Sequence, residues 1–315
     1  MSFTPRGFRL LRIATIAIVA VLLVLFLRNL DWDKLAHALR HASLVPLLLS
    51  SVIYFVCLFG KALSWRIMLQ PRNVVSIWRL YRYTIAAFAA SALTPARAGE
   101  LLRIWALKAR DNVPVFDSTG VAIAEKLLDA VTLLLVCAPA PFLMPQLPGW
   151  VTNAMLACGG IAVAVLLVLF FAVGRIEARE PRSWFGRMIA GMNVVRDPKR
   201  MAQAILVLVL TWCADLIAVV LVLHAVGIDV PIGAAMFILF TFNLAVAIPA
   251  APGQVGTLQV GALAATSVLG IPEEPALAFA LLYQAMQLAP LLILAFVLEL
   301  DLMRGRTRPE PQPAS

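Results

Sequence analysis

Charge is scarce in this chain: only 14% of its 315 residues are Asp, Glu, Lys or Arg. A water-soluble domain carries about 25%, so an ordinary soluble fold is excluded at the outset. Cysteine is scarce too. Cys57, Cys137, Cys158 and Cys213 lie singly inside apolar stretches at unrelated spacings, the pattern of small buried hydrophobes rather than of disulfides or thiolate metal ligands. Of the three histidines, His37 and His41 share a helical face with Asp33, but no fourth ligand is near and a solvated face is the simpler reading. The chain also lacks a G-x-x-x-x-G-K-[ST] phosphate loop and any nucleophile–base pair. An ATP-driven pump and an ordinary hydrolase are therefore not expected, nor is a cofactor or a metal. Uphill movement of a substrate would need an ion gradient or a partner.

Apolar residues fill the space that charge leaves. They make up 62% of the chain, and the mean hydropathy is +0.91. They fall into runs near residues 10–27, 44–59, 151–173, 201–226 and 276–300, close to the roughly 20 residues that a helix needs to cross a bilayer. The first run follows Arg6, Arg9 and Arg12 but no small-residue cleavage site follows it, so it reads as an uncleaved first helix.

Lys and Arg mark one side of that membrane. They collect at the N-terminus, in residues 61–82 without any acid among them, in residues 174–200, and in the tail. The segments 145–150, 227–231 and 271–275 hold none. Because basic residues stay on cytoplasmic loops, both termini are expected inside a bacterial cytoplasmic membrane, and the formal charge of +9 is a topology signal with a secondary affinity for anionic lipid. It does not point to nucleic acid. Residues 28–43 are expected outside as a short surface helix. A membrane domain over residues 1–303 and a disordered cytoplasmic tail over 304–315 follow.

Two segments break the pattern. Residues 83–109 enter and leave on the basic side around TPARAGELLR, and residues 232–270 enter and leave on the other side around IPAAPGQVGTLQVGAL. Their turns share P-A-x-x-G-[EQ]-[LV], a short match that chance also produces. Proline breaks a helix and glycine permits the turn, and backbone freed at membrane depth must line protein or a cavity. The expected fold is an all-α polytopic membrane protein. It has about six full transmembrane helices plus two oppositely oriented re-entrant or broken-helix hairpins, with a possible inverted repeat.

The ordered set P-x-R-x-G-E-x-x-R, E-[RK]-x-x-D and P-G-x-x-G resembles the flippase-like transmembrane domain of the lysylphosphatidylglycerol synthases. It falls here on Pro95, Arg97, Gly99, Glu100 and Arg103, then Glu125, Lys126 and Asp129, then Pro252, Gly253 and Gly256. Many relatives carry a glutamate where this chain has Gln259. The resemblance implies movement of lipids or lipid-linked molecules between leaflets. Its larger members add a soluble aminoacyl-transferase domain, which is not expected on a chain that ends at Ser315.

These residues, with Asp215, Gln284 and Gln287 from the apolar runs, are the candidate lipid- or substrate-binding set. Charges inside a bilayer cost on the order of 3 kcal/mol each and usually face a partner or water. Glu100 and Arg103 share one helix face, and Glu125 and Asp129 share another. Arg97 and Arg103 either grip a lipid phosphate with their planar forks or join the carboxylates in an ion-pair anchor. Asp215 sits mid-run, in a proton-coupling, cavity-lining or interhelical role. Gln284 and Gln287, three apart, and Asn243 suit interhelical hydrogen bonds or a common cavity. The leading expectation is a flippase or transporter of an anionic or lipid-linked substrate. The alternatives are a non-transporting membrane partner of a lipid-modifying enzyme and, third, an intramembrane transferase.

Overall fold

The computed structural model describes residues 33, 37, 40–69, 73–94, 99–144, 146–176, 197–246 and 256–304. The expected first crossing, most of the surface segment, the turn residues Pro95, Arg97, Pro252 and Gly253, and the tail beyond Arg304 lie outside the described residues.

Among the described residues every regular element is helical and no strand occurs. In chain order they are α1 (Leu44–Leu69), α2 (Ile77–Leu93), α3 (Gly99–Asp111), α4 (Val115–Cys137), the single turn α5 (Ala140–Leu143), α6 (Gly149–Ile176), α7 (Pro198–Ala225), α8 (Ile232–Val246), α9 (Thr257–Val268) and α10 (Glu273–Arg304). Three of them, α1, α7 and residues 273–298 of α10, are long and apolar enough to cross a membrane. The chain is a multi-pass membrane protein.

The stops and starts are written locally. Asp197 caps α7, its carboxylate accepting from the backbone N–H groups of Lys199 at 3.1 Å and Arg200 at 3.2 Å, with Pro198 in the first turn where a missing N–H costs nothing. The same helix ends at Gly227, whose φ of +76° is the left-handed closure that lets Ile228 N–H return to the Leu223 carbonyl at 2.9 Å.

Helix α1 lies antiparallel to α7. Ser43 N–H reaches the Ala225 carbonyl at 3.0 Å, and midway along, the Cys57 thiol meets the Thr211 carbonyl at 3.5 Å. Lipid gives helices no hydrophobic reason to associate, so close packing and polar pairs must hold them together. The antiparallel pair fixes which end each hairpin enters. Pair α2–α3 follows the end of α1, while pair α8–α9 follows the end of α7, at the opposite end of the bundle.

Two apolar clusters reflect this. One joins Trp65, Met68 and Leu69 to Val75, Leu107, Val121 and Leu208, at the base of the first hairpin. The other joins Leu47, Val222, Leu223, Ile228, Ile238 and Phe279, around the second. The first hairpin's helices have 17 and 13 residues and the second's 15 and 12. At 1.5 Å per residue, none of the four reaches the roughly 30 Å of a hydrocarbon core. Each of the four is shorter than a full crossing.

Two boundaries differ from the sequence expectation. α2 begins at Ile77 rather than near Tyr83, because the Trp78–Arg79–Tyr81–Arg82 stretch carries its polar groups on a helical periphery. α1 runs on to Leu69, past the apolar run read near residues 44–59. Lys61, counted from sequence among the cytoplasmic bases, is therefore inside the helix.

Candidate functional site

The described ends of both helix pairs line one cavity of about 220 Å³. Phe88, Ser91 and Ala92 come from the end of α2, and Glu100 from the start of α3. From the opposite side, Phe242, Asn243 and Val246 come from the end of α8, and Leu258 from the start of α9. The long helices close the walls: Tyr54, Cys57 and Lys61 on α1, Lys126 and Asp129 on α4, Thr211, Trp212 and Asp215 on α7, and Tyr283, Gln284 and Gln287 on α10.

The first hairpin is tightly built. A Cβ added at Gly99 would run into the Ala87 carbonyl oxygen and the backbone nitrogen of Ser91. Glycine is thus what allows α3 to start against α2.

Three ion pairs connect the helices around this tip. Lys126 meets Glu100 at 2.5 Å, with the lysine side chain 46% exposed, so this pair is the most open of the three. Lys61 pairs with Asp129, and its ammonium lies 5.0 Å from the centre of the Trp212 ring. Trp212 in turn donates its indole N–H to the Asp129 backbone carbonyl at 3.1 Å.

The third pair is Arg103 with Glu125, 2.7 Å apart with side-chain exposures of 2% and 4%. Trp65 donates its indole N–H to the same Glu125 oxygen, and its ring lies 3.8 Å beneath the Arg103 guanidinium. Stacking suits a planar, weakly hydrated cation. Arg103 does not line the cavity. Of the two roles open to it from sequence, its surroundings are those of the ion-pair anchor.

On the other wall Tyr283 donates its hydroxyl to Asp215 Oδ1 at 2.9 Å. Its ring lies 5.4 Å from Phe242 on α8, tying α10 to the second hairpin. Gln259 is used twice: its side-chain oxygen accepts from Gly256 N–H at 2.7 Å and its nitrogen donates to Gln284 at 3.0 Å. The amide thereby caps the start of α9 and joins it to α10. The charge that many relatives are expected to carry there is not needed for either bond. Asn243 bonds back to the Leu239 carbonyl at 3.0 Å.

Pro290 interrupts α10 and removes the N–H that would satisfy the Met286 carbonyl four residues earlier. Ser51 on α1 donates its hydroxyl to that carbonyl at 2.7 Å. A backbone group orphaned at membrane depth has its required partner, and the two helices are joined at the level of the cavity.

Of the sequence candidates, the structure brings Glu100, Lys126, Asp129, Asp215, Gln284 and Gln287 to one cavity. Gly99, Gly256 and Gln259 hold the hairpins beside it, and Arg103 with Glu125 packs behind it. Arg97, Pro252 and Gly253 lie outside the described residues. Lys61, Trp65, Trp212 and Tyr283 were missed. Aromatic residues in apolar runs carry no signal of their own, but a lysine within helical reach of the α1 run was a usable one.

The Lysylphosphatidylglycerol synthase TM region matches residues 12–295 of the chain. The chain is also similar to the glycosyltransferase AglD of Haloferax volcanii, at 28% identity over 231 residues that cover 59% of this chain and 37% of that protein. It thus spans little more than a third of the curated relative it matches.

Proposed function

This chain belongs to the lysylphosphatidylglycerol synthase TM-region family, and from that premise we propose that it carries the polar headgroup of a phospholipid or lipid-linked molecule between leaflets. One observation carries the reading: two pairs of short helices, each following an opposite end of the α1–α7 pair, both line one cavity that holds charged and amide side chains among its apolar ones. Paired broken helices around a midplane site are a recurring transporter design. The cavity is smaller than the roughly 300–1,000 Å³ of a site for a drug-sized ligand, so it suits a headgroup while acyl chains stay in lipid.

The headgroup would enter beside the Lys126–Glu100 pair, the most exposed ion pair of the cavity wall. We place the protein in a bacterial cytoplasmic membrane with both termini inside, and assign it no reaction and no cofactor. The relative's printed name, glycosyltransferase, and its greater length favour a second reading, a non-transporting membrane partner for a lipid-modifying activity held elsewhere.

A lipid with a photoreactive group on its headgroup tests the site. In proteoliposomes it should label peptides from the ends of α2 and α8. Label confined to lipid-facing positions such as Val56 and Leu206, both more than half exposed, would remove the cavity from the account.

A further inference from the structure

We infer that the cavity is built for a neutral, polyhydroxylated headgroup, a single sugar ring carried on a lipid. This rests on the lipid-binding reading above and narrows it to one chemistry.

The fixed charges speak first. Both lysines on the cavity wall are already held by carboxylates, Lys61 by Asp129 and Lys126 by Glu100. An anion seated deep in the cavity would face Asp129 and Asp215 while its cations were engaged. An ammonium fares no better. The place a cation would take, near the two aspartates and over the Trp212 ring, is filled by Lys61 itself. A ligand without net charge avoids both conflicts.

Hydrogen-bonding capacity points the same way. Asp215 faces the cavity with the Tyr283 hydroxyl on one of its oxygens, and a carboxylate has about four acceptor positions. It calls for donors. Asn243, which spends one N–H on the Leu239 carbonyl, and Gln287, which bonds with Tyr283, line the same space and keep further amide donor and acceptor positions. A sugar hydroxyl is donor and acceptor at once, and several on one ring meet carboxylate and amides together. Between these polar groups lie the rings of Phe88, Phe242 and Tyr283, apolar surface for the C–H faces of a pyranose. The volume of about 220 Å³ leaves no room for acyl chains beside it.

Thermal unfolding of the full chain, purified in a polyoxyethylene detergent that brings no sugar of its own, tests this. The probes are monoglucosyl diacylglycerol, phosphatidylglycerol and phosphatidylethanolamine with identical acyl chains. The glucosyl lipid should raise the unfolding midpoint at about tenfold lower concentration than the other two. Asp215→Asn keeps a partner for Tyr283 but loses a charge-assisted acceptor, and should weaken the glucosyl effect about tenfold. Asn243→Ala reads the same wall should Asp215→Asn not fold. Equal or stronger stabilisation by either other lipid overturns the sugar inference and leaves the lipid reading standing. A glucosyl effect untouched by both variants places the ligand elsewhere and also overturns it. No shift with any lipid removes both.

Discussion

Arg103 on α3 and Glu125 on α4 sit 2.7 Å apart with almost no solvent contact, stacked on and bonded to the same Trp65. Two desolvated charges in this position favour each other strongly only while both are present. Removing one partner of a buried pair typically costs about 3–5 kcal/mol, whereas replacing both by apolar groups is often neutral. Glu125→Leu and Arg103→Met should each lower thermal stability sharply, and the double variant should recover much of the loss. Arg103→Lys should also destabilise, because a point charge neither stacks nor forks. Melting curves with and without lipid separate this from a phosphate clamp. Loss of the lipid-dependent shift at unchanged basal stability would restore the clamp.

Gly99 and Gly149 make a matched test of the first hairpin. A methyl group at Gly99 collides with backbone of α2, while at Gly149 it meets nothing within 4 Å. Gly99→Ala should cost about 1–3 kcal/mol, as overpacking does, and should reduce folded yield. Gly149→Ala should leave both unchanged.

Gln259→Glu should be tolerated. A carboxylate still accepts from Gly256 N–H, and the Gln284 amide can turn to donate to it. Gln259→Leu loses the cap and the bond to Gln284, and a lost cap alone is worth about 1 kcal/mol. Denaturation midpoints should rank the two variants in that order, and equal midpoints would show that neither bond matters.

The antiparallel arrangement of α1 and α7 puts Val74 and Asp229 at opposite ends of the bundle. In a background without Cys57, Cys137, Cys158 and Cys213, Asp229→Cys should label from outside intact cells, and Val74→Cys only after permeabilisation. Labelling of both from one side would dissolve the opposed hairpins.

Much of this was legible in the sequence because membrane depth makes every polar residue conspicuous. Pro95, Gly99, Pro252 and Gly253 interrupt apolar runs too short to cross, and both hairpins follow from that. That Arg97 and Arg103 could meet Glu125 and Asp129 followed from spacing and opposite charge. What sequence left open was partner choice. Asp129 takes Lys61 rather than an arginine, since α1 continues as a helix past the point where its basic residues begin. A charge count treats Lys61 as a loop residue; only the length of the helix shows that it faces the cavity. The place of Arg103 was equally undetermined, because a buried anchor and a phosphate clamp use the same side chain. Trp65 beneath it favours the anchor, and its contact with Arg103 spans two helices that no local pattern relates.

The most direct measurement of the central claim is lipid movement itself. Proteoliposomes carrying a headgroup-appropriate fluorescent lipid are treated with a membrane-impermeant quencher, and the fraction quenched is followed over time. With the wild-type chain, quenching should run past the outer-leaflet fraction, as inner-leaflet lipid is brought out. With Asn243→Trp, which fills the space between the hairpin tips while leaving the ion pairs in place, it should stop at the outer-leaflet fraction. Wild-type vesicles that stop at the plateau of protein-free liposomes, or a filled cavity that moves lipid as fast as the open one, would contradict the account.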